Sequence, residues 1–459
     1  HTFLPCFTIG TRPIDFALLP GPGGGEIIGT ESNKPAYRVP SMAEVAQVRG
    51  TNGFQVVSTF SGCGGSCLGF EMAGYQILWA SEFVPAAQET YRANHPDVPL
   101  DTRDIRQVRP EEILEAIGLH RGELDVLEGS PPCASFSMAG KREKDWGKVK
   151  DYSDTRQRTD DLFFEFARIL DGLRPKVFVA ENVAGLVRGT AKGYFLEILA
   201  ALKARGYRVR AQLLDAQWLG VPQMRQRIIF VGVREDLGLE PAFPKPLPYR
   251  YSVREALPHI LQQAVAKDTY EDAALAPART VLGSTGGRSS STLSSEPLGM
   301  VVAETSKELR AYRDKRGAFG NDRDITDQPS PTVLAGFRGT HWIVEAESDI
   351  MPYAIGREWD TLAPGEKSSR YFQLVKSPLD GPSPTVTQLG GHNTVASVCH
   401  PIERRKFSIG ELKRICAFPD DFVLTGTYAQ QWERLGRAVP PLMMRAVAET
   451  IRDEILCRL

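Results

Sequence analysis

The chain has 459 residues, of which 42% are hydrophobic and 24% charged, a composition typical of a soluble globular protein long enough for two domains. Its 55 Lys and Arg residues nearly balance 56 Asp and Glu residues, so the formal net charge is −1. This balance neither supports nor excludes a nucleic-acid partner, which local basic patches would have to hold. Because no run of eighteen apolar residues is present, we expect no transmembrane helix and no membrane partner.

The seven cysteines are scattered over the chain. An odd number in a large chain argues against a disulfide framework and favours a reducing compartment, the cytoplasm. Cys63 and Cys67 are close enough to suggest a metal site, but no second Cys or His pair stands at ligand spacing, so we expect no metal. Both are interpreted as small residues in a tight turn.

Residues 54–233 alternate between short apolar runs and segments with helical periodicity. In chain order, the sequence predicts strands over 54–60, 76–80, 124–128, 176–180, 207–214 and 227–233, and helices over 67–74, 85–94, 160–171 and 192–205. Such alternation predicts an α/β fold with a doubly wound, Rossmann-like, largely parallel sheet. The active site is then expected beyond the carboxyl ends of the strands.

After Pro241 the sequence becomes rich in Pro, Gly and Ser and loses its periodicity, which predicts a smaller, irregular domain. The phrase Asp-X-Pro-Ser-Pro-Thr-Val stands at 327–333 and again at 380–386, too few copies for a solenoid. Helical periodicity returns over 408–417 and 442–456, and the chain end is expected to pack back on the first domain.

Four segments are therefore predicted. They are a partly flexible extension over 1–50, a catalytic domain over 51–245, a smaller domain over 246–429, and a C-terminal segment over 430–459 that completes the catalytic domain.

A candidate nucleophile, Cys133, follows the predicted strand 124–128 in a Pro-Pro-Cys turn. Such a turn exposes the thiol at the carboxyl edge of the sheet. The predicted strand 176–180 ends at Glu181, so the two strands could deliver a thiolate and an acid to one crevice. This pair suggests covalent attack on an electron-poor ring. The alternative for Cys133 is an inert buried thiol.

A glycine-rich turn with Gly62, Gly64 and Gly65 follows the first predicted strand. These glycines permit positive φ and close backbone approach, and the N–H groups of the next helix can hold a carboxylate or phosphate. A plain strand-to-helix connection is the alternative. Glu82 ends the next strand, 17 residues past Gly65, where an acid would accept hydrogen bonds from both ribose hydroxyls of a nucleotide-like cofactor. Phe83 beside it could stack on adenine.

These motifs, in this order over 54–233 and 404–445, resemble those of the DNA (cytosine-5)-methyltransferases, and the pair Pro-Pro-Cys and Glu-Asn-Val is the most specific part of the resemblance. It implies methyl transfer from S-adenosyl-L-methionine to carbon 5 of a cytosine rotated out of the duplex, with S-adenosyl-L-homocysteine as product. The smaller domain would be the target-recognition domain. The implied partner is double-stranded DNA, bound by a monomer. A bacterial or archaeal, nucleoid-associated enzyme of a restriction-modification or phage-defence system is implied as well.

The resemblance also assigns site residues. The catalytic set is Cys133, Glu181, Arg225 and Arg227. The cofactor-binding set is Phe60, Gly62, Gly64, Gly65, Glu82, Phe83, Asp104, Ile105, Leu162, Ala438 and Val439. The DNA-binding set is Lys141, Arg142, Arg404 and Arg405. For the basic stretch that contains the first two of these, a solvated loop is the alternative.

In the implied reaction the Cys133 thiolate adds to carbon 6 of cytosine, so that carbon 5 can attack the methyl group. Glu181 would hydrogen-bond N3 and the exocyclic amine. The paired arginines Arg225 and Arg227 would lie near the target base and its phosphate and lower the pKa of the thiol. Two positions depart from the family pattern, because Ala134 stands where Gln is common and Arg437 where Asn is common.

Two other functions stay open. A tRNA cytosine-5 methyltransferase shares the same core, but its Cys-Phe-Thr signature occurs here only at residues 6–8, in the predicted extension. A catalytically silent relative that binds DNA or a partner enzyme is the other alternative, and the intact Cys133, Glu181 and glycine-rich turn argue against it.

Overall fold

A computed structural model of the chain describes residues 34–132, 150–153, 155–157, 159, 161–187, 192–258, 260, 348–392 and 394–459. Four residues named above, Cys133, Ala134, Lys141 and Arg142, lie outside the described residues, as does the first copy of the repeated phrase.

The helices and strands of the described segments are as follows. The α-helices are α1 Met42–Val48, α2 Gly65–Met72, α3 Pro85–Asn94, α4 Pro110–Ile117, α5 Leu162–Leu173, α6 Lys192–Lys203, α7 Val253–Ala256, α8 Ala354–Thr361, α9 Ile409–Ile415, α10 Tyr428–Arg437 and α11 Pro441–Glu454. The strands are β1 Gln55–Thr59, β2 Gln76–Ser81, β3 Leu100–Asp101, β4 Val126–Gly129, β5 Lys150–Tyr152, β6 Thr155–Gln157, β7 Val177–Val183, β8 Tyr207–Asp215, β9 Gln226–Arg234, β10 Val375–Lys376 and β11 Val398–Cys399. No helix of these segments is both long enough and apolar enough to cross a membrane.

The central sheet has seven strands in the order β3-β2-β1-β4-β7-β9-β8. The first five are parallel, whereas β9 is antiparallel to both β7 and β8. The chain runs outward from β1 through β2 to β3 and then returns to β4 on the other side of β1. A crevice therefore opens between β1 and β4 at their carboxyl ends. The predicted α/β, Rossmann-like sheet is confirmed, and each predicted strand has a counterpart in it.

The central strands are mostly apolar because helices cover both faces of the sheet. Val56 and Val57 of β1 point to opposite faces and belong to different clusters of buried residues. Helices α2, α3 and α11 pack on the face of Val56. Helices α4, α5 and α6 pack on the face of Val57.

The C-terminal helix α11 packs on α2 in the first of these clusters, as the sequence predicts. The approach is close at Gly69, where a Cβ atom would stand 2.7 Å from both the Met444 Cβ and the Pro441 carbonyl oxygen. The Tyr75 hydroxyl also donates to the Ala448 carbonyl at 3.0 Å. The last helix is thus part of the core that covers one face of the central sheet.

Residues 34–50 pack against the rest of the chain, although the sequence predicts an extension over 1–50. Ser41 and Glu44 form a capping box that starts α1. Val45 of this helix is fully buried, in a cluster that it shares with α2 and with residues of the smaller domain. The Tyr37 hydroxyl donates to the Arg414 carbonyl at 2.6 Å. The Ser-X-X-Glu signal for a helix start was present in the sequence.

We expect Gly69→Ala to lower the free energy of unfolding by about 1–3 kcal/mol, because the added methyl group overpacks the contact between α2 and α11. Gly193→Ala in α6 is the matched control, since nothing lies within 4 Å of its Cβ position. The control should change stability by less than about 1 kcal/mol. Chemical denaturation followed by circular dichroism measures both, and equal midpoints for the two variants would contradict the close approach.

Candidate active site at the carboxyl edge of the sheet

A cleft of about 950 Å³, counted out to its mouth, opens at the switch point between β1 and β4. Ten of the eleven predicted cofactor residues line it: Phe60, Gly62, Gly65, Glu82, Phe83, Asp104, Ile105, Leu162, Ala438 and Val439. The structure therefore gathers residues from the two ends of the chain around one cavity.

Gly64, the eleventh predicted cofactor residue, lies behind the cleft instead of on its wall. Its φ is +91°, and a Cβ atom there would stand 2.5 Å from the His95 Nε2. At Gly65 a Cβ atom would stand 2.5 Å from the Val439 carbonyl oxygen. The turn needs glycine at these positions because a histidine and the last motif of the chain approach its backbone closely.

Glu82 is held in one orientation by two backbone amides. The Gly62 N–H donates to Oε2 at 2.8 Å and the Val84 N–H to Oε1 at 2.7 Å. Burial raises the pKa of this carboxyl, although the two amides act in the opposite direction. Because one of these amides belongs to the glycine-rich turn, Glu82 also fixes the shape of that turn.

Asp104 begins the short 3₁₀ helix Ile105–Gln107, where its side chain accepts from the Arg106 N–H. The Arg106 guanidinium reaches the same carboxylate at 2.9 Å and also pairs with Asp161. This arginine connects the turn after β3 to the start of α5, which carries Leu162. These two elements of the cleft wall are thereby held together.

Glu181, near the end of β7, is 8% exposed and pairs with the Arg227 Nε at 2.6 Å. Burial raises the pKa of Glu181, and Arg227 and Arg225 offset part of this effect. The next residue, Asn182, donates from Nδ2 to the Pro131 carbonyl at 3.2 Å. This bond holds the turn that leads to Cys133, and its last described residue, Pro132, lines the cleft.

Arg225 differs from its expected position near the target base. It is 1% exposed, and its Nη1 and Nη2 donate to the carbonyls of Val386 at 3.1 Å and Gly436 at 2.9 Å. Burial, and then the nearby Arg227, lowers its pKa to about 9. With both donors engaged in the interior, Arg225 joins Val386 to Gly436. Of the two arginines, only Arg227 pairs with Glu181.

Arg405 is also interior, contrary to its expected role in DNA binding. It is 5% exposed and pairs with Glu411 at 2.7 Å and with Glu403 at 2.5 Å. The buried Glu411 carboxylate of α9 holds the guanidinium in the interior. Arg404, by contrast, keeps a side chain that is 27% exposed and pairs with Asp360.

Several residues of the cleft were missed by the sequence reasoning. Ser61, Ser66, Ser153 and Arg434 line it, and Glu128 lies buried beneath it on β4. A signal existed for Glu128 alone, as a charged residue within an apolar strand. The others are small or distant in sequence, and no local pattern marks them.

The sequence matches the family model described as C-5 cytosine-specific DNA methylase over residues 54–453. The chain belongs to this family. Its enzyme class is therefore DNA (cytosine-5)-methyltransferase, as the motifs predict.

Similar proteins agree with this assignment. The type II methyltransferase M1.HphI of Haemophilus parahaemolyticus is 31% identical over 397 residues, which are 86% of each chain. The type II methyltransferase M.Sau96I of Staphylococcus aureus is 28% identical over 92% of this chain and 81% of that one. The fold is shared with a crystal structure described as a DNA modification methyltransferase encoded within a prophage of E. coli. That match has a TM-score of 0.55 and 20% identity, and it covers 88% of this chain and 99% of that one.

Arg437, a departure from the family pattern, leaves the wall of this methyltransferase's cleft intact. Its Nε donates to the Glu433 Oε1 at 2.7 Å, one turn earlier in α10. Ala438 and Val439 still line the cleft beside it.

The two cysteines Cys63 and Cys67 are buried, and no group of three or more metal-ligating side chains occurs within the described segments.

The two neighbouring arginines should respond differently to substitution. Arg225→Met leaves two buried carbonyls without donors, and we expect it to lower the free energy of unfolding by about 2–4 kcal/mol. Arg227→Met should keep the fold, because Glu181 can become protonated, but should lose most methyl transfer. Denaturation and incorporation of labelled methyl groups into DNA measure the two effects, and a stable, inactive Arg225→Met variant would contradict the interior role.

Proposed function

We propose that this enzyme transfers the methyl group of S-adenosyl-L-methionine to carbon 5 of a cytosine rotated out of double-stranded DNA, through a covalent bond between Cys133 and carbon 6. One observation carries the proposal. The cleft that contains the predicted cofactor residues adjoins the Pro131–Pro132 turn, and Asn182 ties that turn to the strand of the buried Glu181. The proposed nucleophile thus comes shortly after β4 in the chain, and the proposed acid lies near the end of the adjacent strand β7.

The residues of the cleft fit the cofactor. The Glu82 carboxylate is oriented by two amides, and its remaining lone pairs suit the two hydroxyls of a ribose. Phe83, Ile105 and Leu162 offer apolar surface for the adenine, with Asp104 beside them for its amino group. The glycine-rich turn lets backbone approach the ligand closely. When bound, S-adenosyl-L-methionine supplies a methyl group on a positively charged sulfur.

Cys133 would form a bond from its thiolate sulfur to carbon 6 of the cytosine, which makes carbon 5 nucleophilic. Carbon 5 then takes up the methyl group and loses its proton, and the returning electron pair expels the Cys133 thiolate. Glu181, protonated, would donate to N3 as the ring gains electrons. The raised pKa of Glu181 supports this role, since burial favours the neutral acid. Arg227 would keep the side chain in place.

Base rotation is required because carbon 6 is inaccessible to a thiol within stacked duplex DNA. Specificity for a DNA sequence would come from the smaller domain, and Arg404 on its surface, with Lys141 and Arg142, would meet phosphates. We expect binding by a monomer, weakened by salt. Because several relatives are named type II methyltransferases, we also propose a role in a restriction-modification system.

A trapping experiment tests the covalent step. DNA that carries 5-fluorocytosine at the target should form a complex that survives denaturing electrophoresis, because the fluorine cannot leave carbon 5 as the proton does. Cys133→Ser should abolish this complex. Cys457→Ser, which changes an exposed cysteine, should retain it. A complex that persists in Cys133→Ser, or one that forms only with tRNA, would overturn the proposal.

A pH profile tests the acid. Glu181 donates to N3 only while it is protonated, so the rate of the chemical step should fall as the pH rises through its raised pKa. Glu181→Gln should lower that rate about 10²- to 10³-fold and remove this arm of the profile. Glu235→Gln, at an exposed position, should keep it. Single-turnover methylation across pH 6 to 9 measures each variant, and an unchanged profile in Glu181→Gln would exclude the assigned role.

A further inference from the structure

Glu128 is an acid in a place that normally excludes one. It lies on β4 after Val126 and Leu127, and only 1% of its surface is exposed. Burial of a carboxylate costs free energy unless hydrogen bonds or an opposite charge compensate. Glu128 lies directly beneath the cofactor cleft, which suggests that its buried carboxylate contributes to ligand binding.

The contacts of Glu128 lead to the wall of the cleft. Its carboxylate accepts from the Ser58 hydroxyl, from the Ser66 hydroxyl at 2.9 Å and from the Cys67 thiol at 3.8 Å. The Ser58 hydroxyl is in turn 2.7 Å from that of Ser61. Both Ser61 and Ser66 line the cleft. The carboxylate is therefore separated from the ligand space by one layer of hydroxyl groups.

No cation balances Glu128 within the described part of the chain, since its bonded partners are two hydroxyls and a thiol. Burial, with a smaller contribution from the Glu181 charge, raises its pKa to about 7, although the hydrogen bonds from Ser58, Ser66 and Cys67 act in the opposite direction. At neutral pH about half of the molecules would carry the negative charge. Burial also keeps Cys67 and Tyr91, the titratable groups packed on it from α2 and α3, in their neutral forms.

Other charges at the cleft already have partners. Arg103 pairs with Asp101 and Glu112, and Arg437 pairs with Glu433. Asp104 has Arg106, Glu181 has Arg227, and Glu82 has two amides. Among these acids, Glu128 is thus the one held by neither an arginine nor a backbone amide.

We propose that Glu128 makes the cleft prefer the positively charged methyl donor to its neutral product. This inference rests on the proposed function. Methyl transfer converts a sulfonium into a thioether and so removes one positive charge from the cleft. An ionised carboxylate one hydroxyl layer away attracts the donor and has no charge to attract in the product. Glu128 acts across Ser61 and Ser66 and takes no part in bond making, so it is a specificity residue.

The affinity of the cleft for the methyl donor should depend on pH. As the pH rises through 7, more Glu128 is ionised, so affinity for the donor rises while affinity for the product stays level. Glu82 and Glu181 also titrate at the cleft, and any effect they have should persist when Glu128 is changed. The comparison of wild type with Glu128→Gln isolates the contribution of Glu128.

Isothermal titration calorimetry with S-adenosyl-L-methionine and S-adenosyl-L-homocysteine, each at pH 6 and pH 8.5, tests the inference on the full chain. In the wild type the donor-to-product affinity ratio should rise about 5- to 10-fold between the two pH values. In Glu128→Gln the ratio should be nearly constant and lower than that of the wild type at pH 8.5. The Ser58 and Ser66 hydroxyls can turn to accept from the amide, so the variant should fold.

An unchanged ratio in Glu128→Gln overturns the inference, and so does an equal loss of affinity for both ligands, which indicates a structural role. Should the variant fail to fold, the wild-type protein still provides a test. A donor-to-product affinity ratio that does not change with pH would show that ionisation of Glu128 does not set the preference. A wild type that binds neither ligand instead refutes the proposed function. Binding of both ligands with no pH-dependent preference leaves the proposed function standing and removes only this inference.

Discussion

The register of three neighbouring parallel strands brings the glycine-rich turn, the Pro-Pro turn and Glu181 together. Thr59 of β1 pairs with Gly129 of β4, which pairs with Ala180 of β7. The Thr59 hydroxyl donates to the Glu128 carbonyl at 3.2 Å, and Gly129 has no room for a side chain, since a Cβ atom would stand 2.4 Å from that hydroxyl oxygen. The glycine-rich turn, the Pro-Pro turn and Glu181 therefore all come just after the same level of the sheet. A shift of one residue in any strand would separate them.

Three buried acids stand around this edge, and each is accommodated by a different kind of partner. Glu82 accepts hydrogen bonds from two backbone amides, whose fixed positions hold its carboxylate in one orientation. Glu181 has an arginine, whose charge and position can respond to a substrate. Glu128 has only hydroxyls and a thiol, which can either donate or accept. The donor type thus matches the task proposed for each acid: to orient, to exchange a proton, or to sense a charge.

The sequence was sufficient for the sheet because strands covered on both faces are mostly apolar and their turns carry glycine or proline. It was also sufficient to single out ten residues that line one cleft, since most of them belong to short motifs next to strand ends. It was not sufficient for the arginines, since exposure depends on partners elsewhere in the chain. Arg225 is interior because it meets the carbonyl of Val386, 161 residues away. Arg405 is interior because of Glu411 in the next helix.

One wall of the cleft, Ala438 and Val439, comes from the end of the chain, whereas most of the other walls come from residues 60–105. A ribosome completes the early walls long before it reaches the late one, and domains generally begin to fold during synthesis. The nascent protein would thus expose an unfinished cavity until translation has nearly ended. Premature stop codons upstream of position 438 would yield fragments without a closed pocket, so shortened products of the gene should be unable to modify the genome.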